Sequence, residues 1–199
     1  MRVGIVLVLT KGMSHMLRQL CIATSMLAAA SAANAALVAN ATVTGSPIGG
    51  GVYHYTVTLN NTGTTTIGTL WFAWVPGGNF MSAVPTSITS PAGWSASIQG
   101  GAGAASILWQ ANNAPSRLAA GGSLTTFSFN STNTPAQLTG FAASSPSNHV
   151  TTSFVYSGAA FSDAGFQFTA SVVPAPAVGS ASLLFLGALA TRRSRRTNG

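Results

Sequence analysis

Between residues 37 and 173, apolar side chains recur at every second position in short runs, and Gly, Pro, Asn and Ser cut the runs apart. A two-residue repeat belongs to a strand, because successive side chains point to opposite faces. Helical periodicity is almost absent. Residues 52–59, VYHYTVTL, place Tyr53, Tyr55, Val57 and Leu59 on one face and His54, Thr56 and Thr58 on the other. Asn60-Asn61-Thr62-Gly63 then supplies a turn. Residues 70–75, LWFAWV, are apolar on both faces and predict a central strand with Trp71 and Trp74 on opposite sides. Further strands are expected over 37–43, 95–98, 106–110, 124–129, 138–142, 151–156 and 166–172. Many short strands between turn signals predict an all-β fold, an Ig-like or jelly-roll-type antiparallel β-sandwich of about nine strands.

Charge divides the chain. The basic residues are Arg2, Lys11, Arg18, Arg117, Arg192, Arg193, Arg195 and Arg196, and the only acid is Asp163. The net charge of +7 therefore belongs to the two ends, and the middle is neutral. A basic surface for nucleic acid is not implied. The middle segment, 36–173, has the size of one domain. Its two charged residues compare with the ~25% typical of soluble domains, so hydroxyls and amides must hydrate its surface. Low net charge also weakens repulsion between copies, which suits a protein held in a matrix or assembled with copies of itself.

The N-terminal 35 residues have the parts of a secretory signal. Lys11 and Arg18 form a basic region, residues 20–30 are apolar, and Ala33-Asn34-Ala35 is a small-x-small cleavage site. The mature chain is expected to begin at Ala36. Met16 makes a more ordinary start than Met1, because a complete signal follows it. A retained N-terminal anchor would ask for ~20 apolar residues, more than the run supplies. Cys21, the single cysteine, lies inside this signal. The mature domain then has no thiol nucleophile and no cysteine metal site. The Sec translocon and signal peptidase are the partners this segment implies.

The C-terminus has three parts: Pro174-Ala175-Pro176, an apolar stretch over 177–191, and Arg192, Arg193, Arg195 and Arg196. The prolines stop the last strand and keep Ala175 extended. The apolar core of the tail, 178–190, would make a helix roughly 20 Å long, a weak membrane stop against a hydrocarbon layer of ~30 Å. The arginines favour the cytoplasmic side, leaving the preceding domain outside. This order resembles the PEP-CTERM sorting signal, a Pro-Glu-Pro motif followed by a hydrophobic helix and an Arg-rich end. The resemblance covers 173–196, and Ala175 stands where that family usually has Glu. It implies recognition and cleavage by exosortase, an integral-membrane transpeptidase, with transient residence in the inner membrane and release to the surface or an exopolysaccharide matrix. An uncut C-terminal anchor is the alternative, and a GPI-type signal fits the Arg cluster less well. The NNTGTTTIGTLWFAW segment is also similar to the Asn-Thr-Gly turns of bacterial surface Ig-like domains, a likeness of fold rather than of activity.

The inventory for chemistry is thin. Carboxylate-pair hydrolysis needs two acids, and calcium needs several oxygen ligands including acids. His54 and His149 are too few for zinc without acids or thiols. A Ser–His–Asp set drawn from His54 or His149 with Asp163 lacks a Gly-x-Ser-x-Gly elbow, so a hydrolase is a remote alternative. Asp163 reads more simply as a turn residue that binds nearby backbone amides, and Arg117 as a loop charge. No catalytic residue, metal or cofactor is expected. The tryptophans raise a second function. Exposed rings stack on sugars and amides bind their hydroxyls, which makes Trp94 and Trp109 the candidate glycan-stacking residues. Core packing is the expectation for most of the four. The first function expected is a non-enzymatic surface or matrix protein, and the alternative is a carbohydrate-binding module attached to exopolysaccharide.

Overall fold

A computed structural model describes residues 35–174. Most of the expected signal peptide, Ala33 included, lies outside the described residues. So do Ala175, Pro176, the apolar stretch and Arg192, Arg193, Arg195 and Arg196. The described chain is all-β, with strands numbered β1 to β14 in chain order.

The first sheet has five strands. Its order is β14 (Ser171–Pro174), β1 (Ala39–Gly49), β2 (Val52–Asn61), β9 (Ser123–Ser131) and β6 (Thr86–Thr89). The second sheet runs β13 (Phe166–Thr169), β12 (Thr152–Tyr156), β3 (Thr69–Phe72), β8 (Ala104–Ala111) and β7 (Trp94–Gly101). Two short ribbons flank them, β4 (Trp74–Val75) with β5 (Gly78–Asn79), and β10 (Phe141–Ala142) with β11 (Ser145–His149). The inner faces of both five-stranded sheets meet in one sandwich-like core. Tyr55, Val57 and Leu59 from β2 are fully buried there, as the alternation predicts.

Aromatic rings join the sheets across this core. Phe127 and Phe129 of β9 face Trp109 of β8 at centroid distances of 5.2 and 6.4 Å. Phe72 of β3 reaches Phe129 at 5.4 Å, and Trp94 of β7 meets Phe127 edge-on at 5.3 Å. Indole N–H groups need acceptors when buried. Trp109 donates to the Thr89 carbonyl at 3.0 Å, and Trp94 donates to the Ser116 carbonyl at 2.8 Å.

The structure corrects four expectations. The run 70–75 is two strands, because Ala73 takes a left-handed φ of 57° between β3 and β4. Residues 138–142 do not form one strand, since Leu138 sits in a short helix, α1 (Pro135–Thr139). Thr134 and Gln137 close a capping box at its start, with Pro135 at the first turn, a pattern that competes with a strand locally. The run 166–172 also splits. At Ala170 the chain leaves the second sheet, where β13 pairs antiparallel with β12, and enters the first, where β14 pairs parallel with β1. Thr151 holds the crossing point, accepting from the Ala170 amide at 3.2 Å and donating to its carbonyl at 2.9 Å. The sandwich is therefore not wholly antiparallel; its two sheets use ten strands, close to the nine or so expected.

Two buried amides tie loops to this frame. Asn61 donates to the carbonyls of Thr65, Leu118 and Ala119 at 2.8, 3.2 and 3.1 Å, and accepts from the Gly63 amide at 3.1 Å. Asn133 accepts from the Ala83 amide at 3.0 Å and donates to the Ser82 hydroxyl at 2.6 Å. Removing such a side chain strands buried partners. Asn61→Ala is expected to cost about 2 kcal/mol of unfolding free energy in chemical denaturation, and Asn60→Ala, at a partly exposed site next to it, under about 0.5 kcal/mol.

Candidate functional site

The side chains that singled themselves out in the sequence disperse in the fold. Trp109 is fully buried and Trp94 nearly so, and both belong to the core between the sheets. Neither offers a ring face to a sugar in this structure. His54 lies in the first sheet, with Nδ1 2.8 Å from Oδ1 of Asn130 on the neighbouring strand. His149 donates from Nδ1 to the Thr139 carbonyl at 2.6 Å and stacks on Phe141 at 4.5 Å. Asp163 belongs to a loop on the second sheet. The three titratable groups share no hydrogen bond, and among the described residues no three His, Cys, Asp or Glu side chains gather around one point. Among those residues, too, no helix is long and apolar enough to cross a membrane.

What the fold does assemble is a second aromatic cluster, outside the core. Leu70 and Phe72 of β3 point into the sandwich, so Thr69 and Trp71 point outward. Strict alternation would then turn Trp74 inward. The left-handed turn at Ala73 adds a kink that returns Trp74 to the outer face. The two indoles stack with centroids 3.8 Å apart and planes 6° from parallel. An L-residue in this backbone region costs about 1–2 kcal/mol. Hydrogen bonds hold the kink, from the Phe80 amide to the Ala73 carbonyl at 3.0 Å and from the Ala73 amide to Ser153 Oγ at 3.3 Å. The Trp71 indole donates to Ser106 Oγ at 2.9 Å, and that hydroxyl donates to Asn79 Oδ1 at 2.6 Å. The chemistry of the sheet's outer side is thus aromatic in the middle and amide or hydroxyl around it.

Residues 157–165 fold over the indole pair. Phe161, at a φ of 63°, is a second left-handed non-glycine residue. Its ring meets Trp71 and Trp74 edge-on at 5.7 Å from each, and lies 5.6 Å from Tyr156. It nevertheless stays 64% exposed, which makes it the most exposed large apolar side chain described. Asp163 shapes this loop as the sequence suggests. Its Oδ2 accepts from the Ser157 amide at 2.8 Å and from the Ser157 hydroxyl, and its Oδ1 accepts from the Gly165 amide at 2.7 Å. Gly165 has a φ of 65° and lies against Phe154 and Tyr156, where a Cβ would come within 2.7 Å of the Phe154 ring. Beside the loop opens a cleft of about 280 Å³, with Asp163, Thr65, Ala35 and Leu37 in its walls.

Burial alone would raise the Asp163 carboxyl, but the donors from Ser157, Gly165 and Ser162 outweigh it and hold the group below the ordinary carboxylate value. Burial, with the Asp163 charge nearby, pushes the Tyr156 hydroxyl up. Arg117, exposed on its loop, makes no ion pair with Asp163.

Expected processing positions are also placed. The Ala36 amide donates to Thr64 Oγ1 at 2.9 Å, and its carbonyl accepts from the Thr64 amide at 2.9 Å. Pro174 ends β14, opposite Gly45 on β1. No sequence signal for the Phe161 cap stood out, because one aromatic in a Ser-Gly-Ala loop has no period to read. The kink at Ala73 was equally silent, since LWFAWV is an unbroken apolar run.

No family model matches the chain, and no curated protein matches it. Among solved structures, the chain is similar to a GH20 exo-β-N-acetylglucosaminidase from Vibrio harveyi, determined in complex with N-acetylglucosamine. The identity is 12%, the TM-score is 0.36, and the match covers 68% of this chain and 18% of that one.

Two outcomes are expected. The stacked indoles bury most of each other's surface. Trp74→Ala should lower the unfolding free energy by about 3 kcal/mol in chemical denaturation, and Ile98→Ala, at an exposed site of the same sheet, by under about 0.5 kcal/mol. For Asp163, a depressed folded-state pKa means stabilisation that is present above the unfolded-state value and lost as pH falls through the folded one. Asp163→Asn should therefore lower Tm at pH 7, and the gap to wild type should close below about pH 4.

Proposed function

We propose that this chain is an exported, non-enzymatic cell-surface or extracellular-matrix protein, sorted through its C-terminal tail and cut there by an exosortase-type transpeptidase. In this reading signal peptidase acts between Ala35 and Ala36 after passage through the Sec translocon. The tail residues Pro174, Ala175 and Pro176 form the recognised motif, and Arg192, Arg193, Arg195 and Arg196 hold the tail at the inner membrane until it is cut.

One observation carries the reading. Among the described residues, Ala36 is hydrogen-bonded to Thr64, and Pro174 closes the edge strand β14. Those are the two positions where the sequence independently places processing. Pro174 is exposed, and Val173 beside it is 47% exposed, so an enzyme in the membrane can approach the motif without unfolding the sandwich. The two five-stranded sheets, with first and last strands side by side, support an Ig-like or jelly-roll class for the domain. A surface hydrated by hydroxyls and amides fits residence in a hydrated polymer matrix.

A second reading, a carbohydrate-binding module that holds exopolysaccharide, is favoured by the outward aromatic cluster with its exposed Phe161. The sorting reading is tested in the native cells with the double variant Pro174→Ala/Pro176→Ala and an antibody against the last residues of the chain. Wild type should lose the epitope and leave the inner membrane, and the variant should keep both the epitope and the membrane location. Identical processing of the two would show that the prolines are not what the enzyme reads, and an uncut wild type would overturn the sorting reading.

A further inference from the structure

We propose that β7, an open edge of the second sheet, pairs with the same strand of a second copy of this chain and joins two domains into a dimer. The first observation is the contrast between this edge and the others. The two five-stranded sheets end in β14, β6, β13 and β7. A free edge invites pairing, and folded chains blunt it by shortening the strand, bulging it, or placing Pro or charge on it. β14 has four residues and ends at Pro174, β13 has four, and β6 has four with a register shift beside the left-handed Ser87. β7 runs for eight residues in unbroken register with β8, and it carries no charge and no proline. Ser95, Ala96, Ser97 and Ile98 are all exposed, Ile98 at 41%.

The second observation is where the backbone of β7 points. Ala105 of β8 exchanges both of its backbone bonds with Met81 at 2.8 Å, and the Ala111 amide donates to the Gly68 carbonyl at 2.8 Å. Alternate residues in an antiparallel ladder direct their backbone to opposite neighbours. So Ser106, Leu108 and Gln110 bond to β7, through Gln99, Ser97 and Ser95 opposite them. The amides and carbonyls of Ala96 and Ile98 therefore point out of the sheet. This open row is bounded at both ends. The Trp94 amide donates to the Pro91 carbonyl at 3.0 Å, and Gly100 leaves the extended conformation with a φ of 77°.

The third observation selects a second copy as the occupant. A two-fold contact sets the strand against itself, so a charge there would meet a like charge. β7 has none, and the charges of the domain are Arg117 and Asp163, so no net charge opposes close approach. The two-fold axis that uses both outward residues passes at Ser97. Ala96 then exchanges backbone bonds with the partner's Ile98, and Ile98 with the partner's Ala96. The Ser97 hydroxyl meets the partner's Ser97, and Ser95 faces the amide of the partner's Gln99. Gln99 already donates to the Ser97 hydroxyl at 3.0 Å, which keeps its amide on that face. Ala96 and Ile98 lie side by side across the joint on the other face, and Ile98 leaves solvent. The strand thus supplies its own complement. Because the other edges are short or interrupted, pairing closes at two copies instead of growing into a fibre.

The test uses the full chain, carrying Cys21→Ser, in a zwitterionic detergent. Sedimentation should show a monomer–dimer equilibrium. Ala96→Pro removes an amide that points out of the sheet, so it should leave Tm within about 4 °C of the parent and weaken the dimer about tenfold or more. In the proposed register the two Ser97 Cα atoms lie ~4.5 Å apart, a span that a disulfide accepts. Ser97→Cys should therefore give a disulfide-linked dimer under mild oxidation. The two Ser95 positions lie roughly 14 Å apart, so Ser95→Cys alone should stay unlinked, and Ser95→Cys mixed with Gln99→Cys should link. A monomer at all concentrations, with no link through Ser97→Cys, would overturn the proposal. A dimer that Ala96→Pro leaves intact would belong to another surface, such as the tail, and would overturn it too. Linking of Ser95→Cys alone as readily as Ser97→Cys would do the same. A monomer whose Ala96 and Ile98 amides resist hydrogen exchange would give the edge to a segment of the same chain and overturn it as well.

Discussion

The whole fold depends on a seam of aromatic rings between the two sheets. Tyr55, Phe127 and Phe129 come from the first sheet, and Phe72, Trp94 and Trp109 from the second. Successive contacts of 5.2 to 6.4 Å run from one sheet to the other without a break. Each ring buries a large apolar area, and truncating one in such a setting typically costs about 3–5 kcal/mol. Charge takes almost no part, since the domain has one acid and one cation and they do not pair. Stability therefore rests on burial and on hydrogen bonds that satisfy what burial covers. The indole N–H groups of the seam each reach a carbonyl, and Tyr55 donates to the Asn133 carbonyl at 2.6 Å.

The same economy of charge governs the loops. Asn61 gathers the carbonyls of three residues, and Asn133 links the segments around Ser82 and Ser131. Amides do here what Lys–Asp pairs do elsewhere, and they do it at any ionic strength. The lone carboxylate is spent on the loop that carries Phe161. The loop thus has the domain's most polar anchor beneath its most exposed apolar tip, which places a hydrophobic ring in solvent without loosening the backbone below it.

Some of this was legible in the sequence and some was not. Alternation in VYHYTVTL gave the buried face of β2 residue by residue, because one face of that strand meets the core and the other meets solvent. LWFAWV hid its kink, since a strand apolar on both faces carries no mark of where the alternation slips. The run from Phe166 to Val172 kept its alternation through the crossing at Ala170, and so read as one strand although it serves two sheets. Its parallel pairing with β1 is a long-range choice with no local sign. Leu138 was misassigned although its helix had a written start, Thr134-Pro135-Ala136-Gln137. At the site, Asp163 was recognisable as a turn residue from its Ser and Gly neighbours. Core packing, the expectation for most of the tryptophans, holds for Trp94 and Trp109, but a tryptophan's type does not tell which way it faces, and so the two stood as stacking candidates as well.

The sandwich and its ends tell one story. The rings of the seam all lie between Ala36 and Pro174, so the processing proposed at either end leaves them in the chain. The most direct test is the intact mass of the protein from native cells, with membrane and extracellular fractions kept apart. The expected species begins at Ala36, ends within or just after Pro174-Ala175-Pro176, and lies outside the inner membrane. A species that keeps Arg192, Arg193, Arg195 and Arg196 and stays in the membrane would contradict it.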